Sequence, residues 1–431
     1  MTVTESAPAA PTVAHAGILR SRPPREQSAR TYARSLPIVP VRARGLTVEG
    51  ADGRRYLDCL SGAGALALGH NHPVVLEAIR KVLDSGAPLH VPDLATPVED
   101  AFTAELFATL PAGFAADARV RFCGPTAADA VESALALVRT ATGRDTVLTF
   151  GGTDHDAWSA GLFDGGEGPD APAAMMLEPV QDEGGVIPAP DPWLREMRRS
   201  TADRSIPLIA DETRTGVGRT GAFWAVEHSG ITPDVMVMSQ AIGGSLPLAV
   251  IVHHADLDPP LPAGPADPFR GNQLAMAAGA ATLAYVRENR LAERAALLGA
   301  RMLCGLRELT DRHPRVGAVR GRGLMIGVEL VAPAAGDPAP PAPALAAAVQ
   351  RECLRRGLIV GLGGHRASVV RLLPPLTLTD EQADAVLDRF ADALVAATRP
   401  APREAAVPRG GNAGLRGGEA GLRRKEAGLC R

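Results

Sequence analysis

Pro207-Leu-Ile-Ala-Asp211-Glu-Thr-Arg-Thr-Gly-Val-Gly-Arg-Thr-Gly221 is followed, a short way on, by Asp234-Val-Met-Val-Met-Ser-Gln240-Ala-Ile-Gly-Gly-Ser-Leu-Pro-Leu-Ala-Val250. The pattern reads as strand, glycine-rich loop, strand, glycine-rich turn, strand. The first strand ends in a carboxylate, Asp211, and an apolar strand can hold a carboxylate only if it has a partner. A strand ending in turn-forming residues is where open α/β sheets place their ligands. Glu178-Pro-Val-Gln-Asp-Glu-Gly-Gly185, upstream, repeats that form.

Working outward, 431 residues suffice for a large core and two domains. Hydrophobic residues make up 46% and charged residues 22%, ordinary for a globular chain. A net charge of -3 gives no bulk attraction to nucleic acid or an anionic membrane. No apolar run spans a bilayer, and no signal-type leader opens the chain. Cytoplasmic location is the expectation. The five cysteines are scattered without metal-type spacing, so no metal site is expected. Of 45 basic residues only Lys81 and Lys425 are lysines.

Residues 1–25 read as an Ala/Pro-rich flexible arm and 399–431 as a Gly/Arg-rich disordered tail. Between them the expected divisions are 26–70, the N-terminal part of a small domain; 71–310, a large domain; and 311–398, the C-terminal part of the small domain. Val39 to Val48 reads as one strand, and Asp52-Gly53 as a hairpin turn before Arg55. Helices are expected over Pro73–Gly86, Pro97–Leu110, Trp193–Asp203, Ala344–Arg356 and Thr379–Ala396, with long helical patterns from Leu274 to Leu309. Val120–Cys123 reads as a strand leading into Gly124-Pro125-Thr126-Ala127 and a helix. Such a helix start offers free N–H groups to an anion.

These motifs together resemble the class III aminotransferases of the ornithine and diaminobutyrate type, which use pyridoxal phosphate (PLP). The resemblance covers about Glu26 to Thr398. It implies the PLP-dependent transferase fold type I: an α/β architecture with a large, mostly parallel seven-strand-type sheet and a small α+β domain. The segment from Gly152 to Ala173 is short for the family, so one edge strand is expected to be lost. Active sites between two subunits imply a homodimer.

Residue by residue, the resemblance makes Gly124, Pro125, Thr126 and Ala127 the phosphate turn, with Ala127 where glycine is usual. Asp211 would face the pyridine nitrogen. Thr213 stands where an apolar residue meets the ring, and Arg214 where a glutamine bonds the ring hydroxyl. His155 aligns with the family's histidine only with one extra residue, and a plain loop histidine is the favoured reading there. The ring-stacking aromatic is missing nearby, with Trp158 a conceivable substitute. Pro268 replaces the threonine that reaches the cofactor phosphate. Glu183 matches the gate glutamate and Arg371 the carboxylate-binding arginine, a pair able to hold a small amino acid or dicarboxylate.

Gln240 stands between Ser239 and Ala241, where the family has the lysine that holds the cofactor. A covalent link needs a primary amine, and a carboxamide is neither nucleophilic nor basic at pH 7. PLP or pyridoxamine phosphate is therefore expected at most non-covalently, or not at all. Three functions remain open: a divergent diaminobutyrate--2-oxoglutarate transaminase-type protein in which ordinary transamination is doubtful; a silent partner subunit of an intact relative; and a repurposed, PLP-independent enzyme using Asp211, His155 and Arg214 as acid-base groups.

Overall fold

A computed structural model of the chain describes residues 36–91, 94–150, 171–258, 270–333 and 339–399. The expectations placed on residues 1–25, on His155, Trp158 and Pro268, and on the tail beyond Arg399 lie outside the described residues.

The strands, in chain order, are β1 (Pro40–Arg44), β2 (Thr47–Gly50), β3 (Arg55–Asp58), β4 (Ala118–Phe122), β5 (Val147–Thr149), β6 (Ala174–Leu177), β7 (Val180–Gln181), β8 (Ile187–Pro188), β9 (Leu208–Asp211), β10 (Val235–Ser239), β11 (Ala249–His254), β12 (Val316–Arg322), β13 (Met325–Leu330), β14 (Leu358–Ile359), β15 (Gly361–Gly363) and β16 (Val369–Leu372). The helices are α1 (Pro73–Ser85), α2 (Pro97–Phe107), α3 (Ala112–Ala115), α4 (Ala127–Thr142), α5 (Asp191–Asp203), α6 (Gln273–Glu288), α7 (Leu291–Arg312), α8 (Pro343–Arg355) and α9 (Asp380–Thr398).

The central sheet has the order β4-β11-β10-β9-β6-β5. Strands β5, β6, β9 and β10 run parallel, and β11 runs antiparallel to both β10 and β4. The four described strands β6, β9, β10 and β11 are buried almost throughout, which is why their sequences are continuous apolar runs rather than alternations. Among the described residues this sheet has six strands, and residues 151–170 lie outside them. Helix α4 packs on one face of β10 and β11, while α6 packs on the turn that follows β10. Gly244 makes the close approach possible: it sits at φ 56°, and a Cβ there would fall 2.3 Å from the Ala278 carbonyl oxygen.

A second sheet, β1-β2-β3-β14, joins the two ends of the chain, because β3 and β14 pair in parallel. A third, β12-β13-β16-β15, carries Arg371 on β16, opposite Gly327 and Gly361.

Several element limits differ from the sequence reading. Val39 to Val48 is not one strand. Gly45 turns the backbone at φ 54° and exchanges hydrogen bonds with His70, so β1 and β2 form a hairpin instead. The Asp52-Gly53 turn does lie between two paired strands, with Gly53 at φ 77°. The helix from Pro97 ends at Phe107, not Leu110. The helical patterns expected from Leu274 to Leu309 are present as α6 and α7, separated where Arg290 takes φ 52°. Helix α1 stops one residue early because Gly86 adopts the left-handed cap.

Candidate active site

The carboxyl ends of β4, β6, β9 and β10 lie at one edge of the central sheet. From them issue Gly124–Ala127, Glu178, Asp211 and Gln240 respectively. Ala127, Glu178, Asp182, Glu183, Asp211, Thr213, Arg214, Thr215 and Gln240 line a cavity of about 170 Å³ there. The structure thus brings Ala127, Glu183, Asp211, Thr213, Arg214 and Gln240 to one place. Three further lining residues, Glu178, Asp182 and Thr215, were not singled out from sequence. Glu178 and Asp182 lie in the same Glu-Pro-Val-Gln-Asp-Glu run as Glu183, so adjacency was the available signal.

Burial raises the Asp211 carboxyl from its ordinary value, opposed by hydrogen bonding from Thr213 and by the nearby Arg214. The Thr213 backbone N–H donates to Asp211 Oδ1 at 2.9 Å. Burial likewise pushes Glu178 up to about 7, although its Oε2 accepts from the Asp182 N–H at 3.0 Å. Next to Asp211, Glu212 is 2% exposed and is also pushed up to about 7 by burial; it accepts from Thr215 and from the Val226 N–H. A buried carboxyl escapes the cost of an uncompensated charge by keeping its proton.

Gln240 takes φ 57°, a left-handed conformation that is costly for a residue with a side chain. Its Oε1 is buried and accepts no hydrogen bond. Strained backbone and an unsatisfied acceptor at one residue are features that gather at functional sites.

The phosphate turn keeps its helix start. Ala127 is the first residue of α4 and needs no positive φ, so an alanine is tolerated. The turn is closed by its own sequence. Thr126 Oγ1 caps the Asp129 N–H at 3.2 Å, and the Asp129 carboxylate accepts from the Thr126 N–H at 2.8 Å. Ala127 lines the cavity, whereas Asp129 is not among its lining residues.

Arg371 is 1% exposed and meets Asp182 Oδ2 through Nη1 at 2.7 Å and Glu183 Oε1 at 3.5 Å. The expected Glu183 partner is present, but Asp182 is nearer. Arg214 Nη1 also meets Asp182 Oδ2, at 3.0 Å, and donates to the Ala63 carbonyl at 3.2 Å. Ala63 belongs to the Ser61–Gly64 turn, in which all four residues have positive φ. Among the described residues no group of His, Cys, Asp and Glu has the arrangement of a metal site.

The class III aminotransferase family model matches residues 28–162 and 165–394. The chain belongs to the class III aminotransferase family. A diaminobutyrate--2-oxoglutarate aminotransferase of Rhizobium meliloti (strain 1021) is 44% identical, across 89% of this chain and 92% of the relative. One from Haemophilus influenzae is 38% identical, across 87% and 94%. Among solved structures, an ornithine δ-aminotransferase of Plasmodium falciparum superposes with a TM-score of 0.73 at 26% identity, covering 84% of this chain and 94% of the other. The fold is therefore the PLP-dependent fold type I, and class III membership implies PLP as the family's cofactor. No helix among the described residues of this class III aminotransferase chain is long and apolar enough to cross a membrane.

Proposed function

We propose that this chain is a divergent diaminobutyrate--2-oxoglutarate transaminase-type protein that does not perform ordinary transamination. Gln240 carries the reading. It lines the cavity beside Asp211, at the place the family resemblance gives to the cofactor lysine. Its carboxamide supplies neither a nucleophile nor a base. Lys81, the one lysine between residues 36 and 398, lies on α1 and does not line the cavity.

The residues present do not fit a covalently held PLP. Beyond Asp211 and Glu183, the cavity is lined by two further carboxyl groups, Glu178 and Asp182. What survives is the ability to hold a small ligand non-covalently: Asp211 and Glu178 as protonatable groups, Gln240 as an amide acceptor, Arg214 as a cation.

The experiment is absorption spectroscopy after gel filtration of the protein mixed with PLP or pyridoxamine phosphate, on this sequence and on Gln240→Lys. The expected result is no retained visible absorbance for the unaltered chain and incomplete recovery of amino transfer for the variant. Retained cofactor and turnover of diaminobutyrate by the unaltered chain would sink the proposal.

Homodimer formation, which the family resemblance implies, belongs to the same proposal. Exposed Leu83, Leu89 and Leu94 fall in one stretch of chain and support a buried subunit contact there. Analytical ultracentrifugation reads the mass directly.

A further inference from the structure

We infer that Asp182 is a built-in carboxylate that engages the guanidiniums of Arg371 and Arg214 and thereby shuts carboxylate-bearing ligands out of the cavity. The inference rests on the reading of this cavity as the ligand site, and needs no cofactor.

Asp182 Oδ2 is shared by Arg371 Nη1 at 2.7 Å and Arg214 Nη1 at 3.0 Å. The side chains of Asp182 and Arg371 are 2% and 1% exposed. Asp182 lines the cavity, whereas Arg371 stands behind it. A ligand carboxylate entering the cavity therefore meets Asp182 before it meets Arg371.

Glu183 approaches the same two guanidiniums, at 3.5 Å and 3.7 Å, but its side chain is 68% exposed. It can leave for water at little cost, as exposed ion-pair partners do. Asp182 cannot. Withdrawing it would break the buried Asp182–Arg371 pair, the expensive kind of internal pair to break.

Asp182 does not use the full geometry of an arginine fork. One oxygen serves both guanidiniums, and the other, Oδ1, is buried without a hydrogen-bond partner. A ligand carboxylate able to bond an arginine through both oxygens would bind better than this, were the place open. With Asp182 seated, the remaining ionisable lining groups other than Arg214 are the carboxyls of Glu178, Glu183 and Asp211, which do not attract an anion.

Isothermal titration with glutarate, an unreactive dicarboxylate, and with neutral glutaramide tests this on the full chain, on Asp182→Gly and on Asp182→Gly/Arg371→Gln. Asp182→Gly is expected to bind glutarate at least about tenfold more tightly than the unaltered chain, with glutaramide unchanged. Adding Arg371→Gln is expected to reverse part of that gain, Arg214 remaining free to meet the ligand, and no reversal at all overturns the role given to Arg371. Equal glutarate affinity in the unaltered chain and Asp182→Gly overturns the inference, as does an equal gain for glutaramide. Should Asp182→Gly fail to fold by circular dichroism, Asp182→Asn keeps the shape and removes the charge. It is expected to gain glutarate affinity in the same direction, and a folded Asp182→Asn that gains none overturns the inference. Retention of PLP by the unaltered chain would defeat the proposed function and leave this titration to be read on its own.

Discussion

A Cβ placed at Gly363 would fall 2.7 Å from Cδ of Arg371, so the buried arginine passes through the space that a side chain on the neighbouring strand would occupy. Strand β15 lies beside β16, with Gly361 opposite Arg371 and Gly363 opposite Val369. The two glycines give the guanidinium its route to Asp182.

Gly363→Ala is accordingly expected to destabilise the fold by about 1–3 kcal/mol, the usual cost of overpacking. Urea unfolding measures it. Removing the obstacle with Arg371→Ala in the same chain should abolish the alanine's own contribution, so the two changes are non-additive.

Glu212 sets a pH dependence of stability. Its carboxyl rises from the ordinary 4.5 to about 7 on folding because it is buried. Below pH 4.5 both states hold the proton and the group contributes nothing. Between pH 4.5 and 7 the unfolded chain ionises while the folded chain keeps its proton, so stability falls as pH rises. Above pH 7 the loss levels off, at about 3 kcal/mol for this group. Glu212→Gln should flatten the dependence of the urea midpoint on pH across that window. An unchanged slope would mean the carboxyl is not protonated in the fold.

Trp224 is fully buried, and its Nε1 donates to the Thr109 carbonyl at 3.0 Å. Trp224→Phe leaves that carbonyl without its donor and opens a void. A loss of about 2–4 kcal/mol is expected from the two effects together. Thermal unfolding followed by calorimetry gives the value.

Thr126 and Asp129 cap α4 reciprocally. Thr126→Ala should cost about 1 kcal/mol. Asp129→Ala should cost a similar amount while removing the negative charge at the helix start. Inorganic phosphate is then expected to protect Asp129→Ala against thermal unfolding more than it protects the unaltered chain. Equal protection would show that the carboxylate does not guard the turn.

Much of this was legible in the sequence because glycines and continuous apolar runs are local signals. The runs ending at Asp211 and Ser239 are strands, and the turns after them are where the text of the sequence puts them. The limits that moved were set by distant partners. Gly45 breaks the first strand by bonding His70, and nothing within Val39 to Val48 announces that bond. The site shows the same division. Asp211, Arg214 and Gln240 stood out through their neighbours in sequence. Asp182 did not, because its importance lies in an arginine 189 residues away.

The parallel pairing of β3 with β14 has a consequence for how this chain is made. Arg54, just before β3, donates to the carbonyl of Arg355, 301 positions further along the chain. Strands β1 to β3 therefore wait, with one edge of β3 unsatisfied, until residues 358–359 of β14 have been synthesised. Loop closure over such a distance makes this sheet slow to complete, and the waiting edge is where premature association with other nascent chains would begin.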